Sequence, residues 1–342
     1  MDWLNHIVVL TQENRSFDQL FGHYPGADGI PPGIRLPARH GPPVAPYPIK
    51  GAVSCGFGPP HSWDAIHLDY DEGKMDGFVR TGGKIAMGYF PPSEIASYWL
   101  WARQGILLDH YFSSVLGPTF PNRLYLISGT SLGIKNDPSL FETLHLGYET
   151  LFDQLESRHI PWKYYIGGYT LGLGQHWFAK MLEFCPLLWF PRFLHDPRLH
   201  CRLVPYHHFF QDLKAKRLPA VSFLSPGICN SGHPPTSIRS SMASFARIAR
   251  ALQHSSLWSR TLFITNFDEA GGFFDHVAPP LVDTWGPGIR VPCLLLSAHL
   301  KPGINHGIYD HTSVLRMIEE RFDLPLLGDR TQKMASLAEA LS

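Results

Sequence analysis

Short apolar runs alternate along this chain with longer segments in which apolar residues recur every three or four positions. The short runs are rich in valine, isoleucine, leucine and phenylalanine, a composition typical of strands buried in a sheet. They cover residues 6–11, 105–112, 161–166, 220–225, 262–267 and 291–297. The helical segments cover residues 93–104, 121–129, 237–255 and 310–322. The alternation predicts a three-layer α/β/α sandwich, with a mainly parallel central sheet and helices on both of its faces.

Polar residues directly follow two of the buried runs. Glu13 and Asn14 come after the first run, and Asp268 and Glu269 come after the run at 262–267. Two carboxylates at the end of a buried strand repel each other and lose hydration, so they need a cation or hydrogen-bond donors nearby. The two glycines that follow the second acidic pair let the backbone turn sharply and approach a ligand closely. We therefore expect a metal and phosphate site at this edge of the sheet.

Thr119 lies just ahead of a predicted helix, for which Pro121 suits the first turn. The free N–H groups and the positive dipole end of such a helix favour a phosphoryl group. They also lower the pKa of an alcohol that is held beside a metal, so Thr119 is a candidate nucleophile. His61 stands close to Trp63 and Asp64, where it can act as an oriented acid or as a phosphate ligand.

Simpler interpretations of these residues remain open. Asn14 or Ser16 can serve only as a helix cap, and the second acidic pair can form a capped, solvated turn. Thr119 before a proline can be an ordinary helix cap. His61 can be a hydrogen-bonded histidine at the surface.

Composition narrows the class of protein. The chain has 342 residues, of which 44% are hydrophobic, so it can bury a full core. Length alone permits one large domain or two smaller ones, and we expect a single domain over residues 1–342. Its net charge is zero and it has no basic run, which argues against nucleic-acid binding. Its 19 histidines suit metal or phosphoryl chemistry. No secretory signal precedes the first strand, so we expect a cytoplasmic protein, or an exported one from which a signal was removed.

Two segments read as caps over the sheet, at about residues 23–92 and 167–216. The first is rich in proline and glycine and is predicted to be an ordered flap. The second contains an aromatic, apolar patch at residues 177–195. This patch can line a hydrophobic cleft, lie on a membrane surface or pack inside the cap, and the last is the simplest interpretation.

Four blocks resemble a known family. They are QENRSFD at 12–18, GPTFPNR at 117–123, DEAGGFFDHV at 268–277 and YDHTSVL at 309–315. In this order they resemble the bacterial phosphoesterase family, which includes non-haemolytic phospholipases C and a respiratory-burst-inhibiting acid phosphatase. The resemblance runs from about residue 4 to about residue 325 and implies an alkaline-phosphatase-like fold.

The resemblance also implies roles for particular residues. It places one divalent metal ion of unknown identity near Glu13, Asn14, Asp268 and Glu269. Thr119 matches the position of the family's nucleophile and would form a phospho-threonine intermediate. Histidines implied to contact the phosphate or the leaving group are His61 and His233, and further substrate contacts are expected from His207, His208 and His276.

The expected function is therefore metal-dependent hydrolysis of a phosphate ester, phospholipase C-like, with a phospholipid as a candidate substrate. A broad-specificity acid phosphatase and a non-catalytic relative that binds phosphate or lipid are the alternatives. One departure bears on substrate choice and on the metal or phosphate site. Acids that the family commonly carries before His233 are replaced here by Ser231 and Gly232.

Overall fold

Eight strands form one sheet in this computed structural model, which describes residues 1–49, 58–139, 145–168 and 183–341. In chain order, the strands of the sheet and of two short two-stranded ladders are β1 (His6–Gln12), β2 (Tyr47–Pro48), β3 (Gly88–Tyr89), β4 (Ile106–Leu108), β5 (Tyr111–Phe112), β6 (Trp162–Ile166), β7 (Leu203–Pro205), β8 (Val221–Ser225), β9 (Thr261–Phe267), β10 (Cys293–Leu296), β11 (Gly303–Asn305) and β12 (Tyr309–Asp310). The order across the sheet is β11-β4-β10-β9-β1-β8-β6-β7.

The sheet is mainly parallel, as the sequence predicts. Neighbouring strands β9, β1, β8, β6 and β7 pair in parallel. β10 runs antiparallel to both of its neighbours, β9 and β4, so β4 points the same way as β9. β11 is parallel to β4. The carboxyl ends of β1, β9, β4 and β11 therefore lie along one edge of the sheet.

Thirteen α-helices occur within the described ranges. They are α1 (Phe17–Phe21), α2 (Trp63–Tyr70), α3 (Phe78–Gly82), α4 (Ala96–Ala102), α5 (Thr119–Ser128), α6 (Leu151–Ser157), α7 (Pro191–His195), α8 (Pro197–His200), α9 (His208–Lys214), α10 (Ile228–Ser231), α11 (Ile238–Gln253), α12 (His311–Phe322) and α13 (Gly328–Lys333).

The helices cover both faces of the sheet. Successive side chains of a strand point to opposite faces, so contacts from β9 assign each helix to a layer. Phe263 packs on Phe245 of α11, with 5.9 Å between ring centroids. Asn266, three positions further along β9 and therefore on the other face, bonds the Tyr111 hydroxyl, and the Tyr111 ring packs on His311 of α12. The predicted three-layer α/β/α sandwich is confirmed.

Some predicted elements differ in their limits. The extended run at 105–112 is two strands, because the chain leaves the sheet at Asp109 and His110 between β4 and β5. The prediction that Ser93 begins a helix is wrong. The chain first makes a turn in which the Glu94 amide donates to the Pro91 carbonyl, and α4 begins only at Ala96.

The described part of the aromatic patch, from residue 183, is interior. Phe184, Trp189 and Phe193 are all buried, and Trp189 packs on Phe120 of α5 at 5.4 Å between centroids. Core packing therefore accounts for this part, while residues 177–182 lie outside the described ranges. Among the described residues, no helix has the length and apolar character needed to cross a bilayer.

Candidate active site

The two polar strand ends lie side by side. β1 and β9 are neighbouring parallel strands in which Gln12 is level with Phe267, so the residues that follow them are also adjacent. The Asp268 amide donates to the Gln12 carbonyl at 3.1 Å. Glu13, Asn14, Asp268 and Glu269 are all buried, with exposures of at most 1%. The sequence-based prediction placed these four residues at one edge, and the structure brings them together there.

Arg123 joins the two acidic strand ends. Its Nη2 donates to Glu13 Oε1 at 2.6 Å and its Nε donates to Asp268 Oδ2 at 3.0 Å. Its Nη1 donates to the Phe184 carbonyl and to the Ser225 hydroxyl. One guanidinium thus bonds two buried carboxylates, and the third, Glu269, has no arginine or lysine partner among the described residues.

Burial dominates the titration of this site. Burial and the charge of Asp268 raise the pKa of Glu13 well above its ordinary value, against the opposing effect of Arg123. Burial and Asp268 likewise raise the pKa of Glu269 well above its ordinary value. Both carboxylates therefore gain from a further cation, which would hold them ionised.

Two oxygen atoms at the site lack hydrogen-bond partners. Asn14 Oδ1 and Glu269 Oε1 are buried and have no partner among the described residues. The other oxygen of Glu269 accepts the Gly271 amide at 2.5 Å. An unpartnered buried amide oxygen beside an unpartnered carboxylate oxygen is a donor pair suited to a hard or borderline divalent cation. Glu13 and Asp268 add carboxylate oxygens, so the chemistry of these donors suits a divalent metal ion.

Close backbone packing holds the segment of Asn14 against the turn that follows Glu269. Asn14 has φ +53°, in the left-handed region, and Gly271 has φ +68°. A Cβ added at Gly271 would lie 2.9 Å from both Cβ and the carbonyl oxygen of Asn14. Glycine at 271 therefore allows the turn after Glu269 to close against Asn14.

His61 and His233 border the unpartnered oxygens. His61 Nδ1 donates to the Pro59 carbonyl at 2.8 Å, which leaves Nε2 as the unprotonated nitrogen of the neutral ring. That Nε2 lies 3.3 Å from Asn14 Nδ2 and 4.0 Å from Glu269 Oε1. The ring of His233 packs edge-on against that of His61, with 5.7 Å between centroids. Both histidines can exchange a proton with a group bound here.

The segment before His233 contacts the backbone of Glu13 and the side chain of Arg15. The Glu13 amide donates to the Ser231 carbonyl at 2.8 Å, and Arg15 Nη2 donates to the Gly232 carbonyl at 2.6 Å. Gly232 has φ +99°, and a Cβ there would lie 3.1 Å from the Glu13 carbonyl. The departure from the family's acids at these positions thus coincides with a tight backbone contact to the segment that carries Glu13.

Thr119 is the first residue of α5 rather than its cap. Pro118 takes the cap position and provides no side-chain hydrogen bond. The next amide, of Phe120, donates to Asp137 Oδ1 at 2.7 Å. Residues four apart on a helix lie on the same face, so Thr119 stands one turn from Arg123 on the face that meets the carboxylates. Thr119 is 4% exposed.

The remaining predicted histidines occupy other surroundings. His276 is held by Asp18 at 2.8 Å and by Asp28 at 3.2 Å, within a network that includes Arg290. His207 is exposed and lines a cavity of about 360 Å³ at the ends of β6 and β8. His208 begins α9 and packs edge-on against His207.

Sequence reasoning missed two features of the site. Arg123 was part of a recognised block, yet nothing in the sequence indicates that it bonds residues 110 and 145 positions away. Asp69 on α2 is 1% exposed, and neither of its carboxylate oxygens has a hydrogen-bond partner among the described residues. Burial raises its pKa to about 8, and its charge contributes to the raised pKa of Glu269. The available signal was an acid at helical spacing from Ala65 and Ile66, on the face of α2 that these two residues bury.

The fold and site define a class: an α/β enzyme with an anionic, oxygen-lined site at the carboxyl edge of a mainly parallel sheet. The sequence matches the Phosphoesterase family over residues 4–325, and the chain belongs to that family. Its homologues are hydrolases that act on phosphoric ester bonds, and this chain is a hydrolase of that kind.

Curated relatives include bacterial and plant phospholipases. Phospholipase C A of Mycobacterium tuberculosis is 29% identical over 94% of this chain and 74% of its own length. Hemolytic phospholipase C of Pseudomonas aeruginosa is 30% identical over 93% of this chain and 53% of its own length, so this chain spans about half of that relative. Non-specific phospholipase C3 of Arabidopsis thaliana is 27% identical over 98% of this chain and 72% of its own length.

Solved structures share the fold at low sequence identity. A Bacteroides thetaiotaomicron protein described under the metabolism of multiple glycosaminoglycans aligns over 99% of this chain and 82% of its own, with a TM-score of 0.53 and 10% identity. A Vibrio parahaemolyticus protein of the alkaline phosphatase superfamily aligns over 97% of this chain and 71% of its own, with a TM-score of 0.46 and 12% identity. The predicted mainly parallel α/β fold is confirmed by the sheet itself and by its similarity to the first of these structures.

Proposed function

We propose that this protein is a metal-dependent phosphoesterase of the phospholipase C type that works through a phospho-threonine intermediate on Thr119. The observation that carries the proposal is the pair of unpartnered oxygens, Asn14 Oδ1 and Glu269 Oε1. They lie beside two carboxylates held by Arg123, which is on the helix face that also carries Thr119. A divalent cation bound by Glu13, Asn14, Asp268 and Glu269 supplies positive charge that favours the Thr119 alkoxide and polarises a phosphoryl oxygen.

In the first step the Thr119 hydroxyl releases its proton to solvent, its Oγ attacks phosphorus, and the bond to the leaving alcohol breaks. The leaving oxygen takes a proton from the imidazolium form of His61 or of His233; His61 lies next to Asn14, and His233 packs against His61. The amino end of α5 contributes N–H groups and its positive dipole end to the developing negative charge. The products of this step are the free alcohol and a phosphorylated Thr119.

In the second step water attacks the same phosphorus and the bond to Thr119 Oγ breaks. The histidine that gave up its proton now accepts one from the water, and the departing Thr119 oxygen takes a proton from solvent, so that the hydroxyl re-forms. A diester substrate then leaves as a phosphomonoester, and a monoester leaves as inorganic phosphate. Because the nucleophile is regenerated, each turnover consumes one water molecule.

We assign the leaving alcohol to the cavity that His207 lines. Its walls are mostly apolar and include Ile166, Pro205, Pro226 and Ile228. Helix α10 connects this cavity to the segment that precedes His233. An apolar alcohol such as the glyceride part of a phospholipid matches these walls better than water does, which supports a phospholipid substrate.

The test compares p-nitrophenyl phosphorylcholine with p-nitrophenyl phosphate, each with and without a chelator. We expect hydrolysis of the diester to exceed that of the monoester, to stop with chelator and to return with added divalent metal. Thr119→Ala should lose at least about 1,000-fold in kcat, while Thr119→Ser keeps measurable turnover because it keeps a hydroxyl. Full metal-dependent turnover by Thr119→Ala would refute the assignment.

Preference for the monoester in that assay would instead indicate a broad-specificity acid phosphatase. No turnover of either compound with metal present, together with retained binding to phosphatidylcholine vesicles, would indicate a non-catalytic relative.

A further inference from the structure

A second group of metal-ligating side chains lies at the same edge of the sheet, two strands away from the candidate active site. β4 and β11 pair in parallel with Leu108 level with Asn305. The residues that directly follow these two strands, Asp109 and His306, therefore lie opposite each other. The Asp109 amide donates to the Asn305 carbonyl at 3.3 Å, which fixes this register to the end.

His110 is placed by a second ladder. It lies between β4 and β5, and Tyr111 of β5 is level with Tyr309 of β12. The Tyr309 amide donates to the His110 carbonyl at 3.0 Å. The segments that carry His110 and His306 are thus each fixed by strands before and after them, so their side chains meet without any movement of the backbone.

The distances among the three side chains are those of a metal's coordination shell. His306 Nδ1 lies 2.9 Å from Asp109 Oδ2 and 3.0 Å from Oδ1. His110 Nδ1 lies 3.4 Å from Asp109 Oδ1. In a tetrahedral zinc site with bonds of about 2.0–2.1 Å, neighbouring ligand atoms are about 3.3 Å apart. The spacing between His110 and Asp109 is close to that edge length, the contact between His306 and Asp109 is a hydrogen bond that an ion would replace, and the three ligand atoms all lie within 4.8 Å of one another.

His110 carries the independent observation that points to a cation. Its Nε2 lies 3.1 Å from Asp28 Oδ2, so the proton of the neutral ring is on Nε2 and Nδ1 presents a lone pair. That Nδ1 is buried and forms no hydrogen bond. It faces the carboxylate of Asp109, which is 0% exposed. Two acceptor atoms that face each other in the interior are unfavourable unless a cation lies between them.

The outer contacts are those that a metal-binding histidine usually has. Asp28 accepts from the far nitrogen of His110, as carboxylates do behind ligating histidines. The Asp28 amide donates to Asp109 Oδ2 at 2.8 Å and orients that carboxylate. The side chain of His306 is 61% exposed, so an ion can enter from solvent.

The contacts of Arg290 distinguish the cluster of Asp109, His110 and His306 from a neighbouring cluster of metal-ligating side chains. Asp18, Asp275 and His276 are also close together, but the Arg290 guanidinium already bonds both of those aspartates at 3.0 Å. Near Asp109, in contrast, Arg290 donates only to the backbone carbonyls of Asp28 and Asp109. The carboxylate of Asp109 therefore has no arginine or lysine partner among the described residues.

We propose that Asp109, His110 and His306 bind one divalent transition-metal ion of the zinc class, with water in the fourth position. Two imidazoles and one carboxylate favour zinc or cobalt over magnesium or calcium. The bound ion ties the turn between β4 and β5 to the turn between β11 and β12. The site is independent of the proposed catalytic metal, whose ligands come from β1 and β9.

The test uses Zn²⁺ alone, with binding counted by equilibrium dialysis of the metal-free protein, and Co²⁺ as a spectroscopic probe. His306→Gln should bind one equivalent fewer than the wild type and should lose a tetrahedral cobalt absorption band, and its phosphoesterase activity should be unchanged. His254→Gln, at an exposed histidine on another face of the chain, is the matched control and should bind as the wild type does.

A second pair of variants separates the two metal sites. Glu269→Gln should lose the catalytic equivalent and keep the cobalt band, whereas His110→Gln should lose the band. Equal stoichiometry in the wild type and in both histidine variants would overturn the proposal. A cobalt band that disappears in Glu269→Gln and persists in His306→Gln would also overturn it. Neither result depends on whether Thr119 is the nucleophile.

Discussion

The Nη2 atom of Arg123 lies 2.6 Å from Oε1 of Glu13, and the two side chains are 2% and 1% exposed. This contact fixes the amino-terminal turn of α5 against the carboxyl end of β1. Thr119 is on the same helix, one turn earlier. The ion pair therefore sets where the candidate nucleophile stands, in addition to balancing part of the buried negative charge.

Replacing Arg123 should damage both stability and activity. Arg123→Met leaves Glu13 and Asp268 buried without their donor, and breaking a buried pair in this way costs about 3–5 kcal/mol. Arg123→Lys keeps the charge but cannot bond both carboxylates at once, so we expect a smaller loss of stability and at least about a tenfold fall in kcat. Urea unfolding and steady-state kinetics measure the two effects.

Arg202→Lys is the control for that experiment. Arg202 lies 3.6 Å from Glu156, and both side chains are about one-third exposed. A half-exposed pair of this kind contributes at most about 1 kcal/mol. Equal effects of the Arg123 and Arg202 substitutions would show that the buried pair has no special role.

Gly271→Ala should weaken metal binding. The added Cβ would lie 2.9 Å from Asn14, and φ +68° is strained for alanine, so the loop that carries Glu269 must shift. We expect at least a tenfold rise in the metal Kd, measured by calorimetry with Mn²⁺. Gly147→Ala is the control because nothing lies within 4 Å of its added Cβ. Unchanged Mn²⁺ affinity in Gly271→Ala would contradict the placement of the metal.

Metal binding should release protons. The pKa values of Glu13 and Glu269 are raised well above normal by burial, so near those pKa values the metal-free site holds protons. A metal needs the ionised carboxylates, so affinity should rise with pH and binding should expel protons. Calorimetry in two buffers of different ionisation enthalpy counts them. Proton release should fall in Glu269→Gln, and an absence of release in the wild type would argue against these ligands.

Asp69 should make stability depend on pH. Its pKa is about 8 in the folded chain because of burial, against an ordinary value of 3.8. A carboxyl group with a raised folded pKa stabilises the fold at low pH, and this contribution disappears as pH rises towards 8. The loss is on the order of 5 kcal/mol.

Asp69→Asn should therefore be more stable than the wild type at pH 8 and should lose that advantage near pH 4. Unfolding free energies in urea across this range measure the difference. Asp64→Asn, at an exposed position on the same helix, serves as the control. An advantage that does not change with pH would show that Asp69 stays ionised in the folded protein.

Local sequence pattern predicted those parts of the site that follow directly from a strand. Glu13 and Asp268 could be assigned because each ends a buried run, and parallel strands present their carboxyl ends at one edge. Arg123 could not be assigned, since its partners are brought near it only by the pairing of strands far apart in the chain. The same limit applies to the meeting of Asp109 with His306, which depends on the register of β4 and β11.

Boundaries were predicted less well than the elements themselves. The helix predicted to begin at residue 93 begins three residues later, and Glu94 instead pairs with Arg239 of α11 at 3.0 Å. The sequence around Glu94 cannot reveal a contact with a residue 145 positions away. In the structure this contact accompanies a turn that precedes α4.

The most direct test of the central claim is to trap the covalent intermediate. The enzyme is mixed with p-nitrophenyl phosphorylcholine and quenched in acid within one turnover, and its peptides are examined by mass spectrometry. We predict one phosphorylcholine group per chain, located on Thr119 and absent in Thr119→Ala and in chelator-treated protein. A burst of product with the modification on another residue, or with no modified residue while turnover continues, would contradict the account.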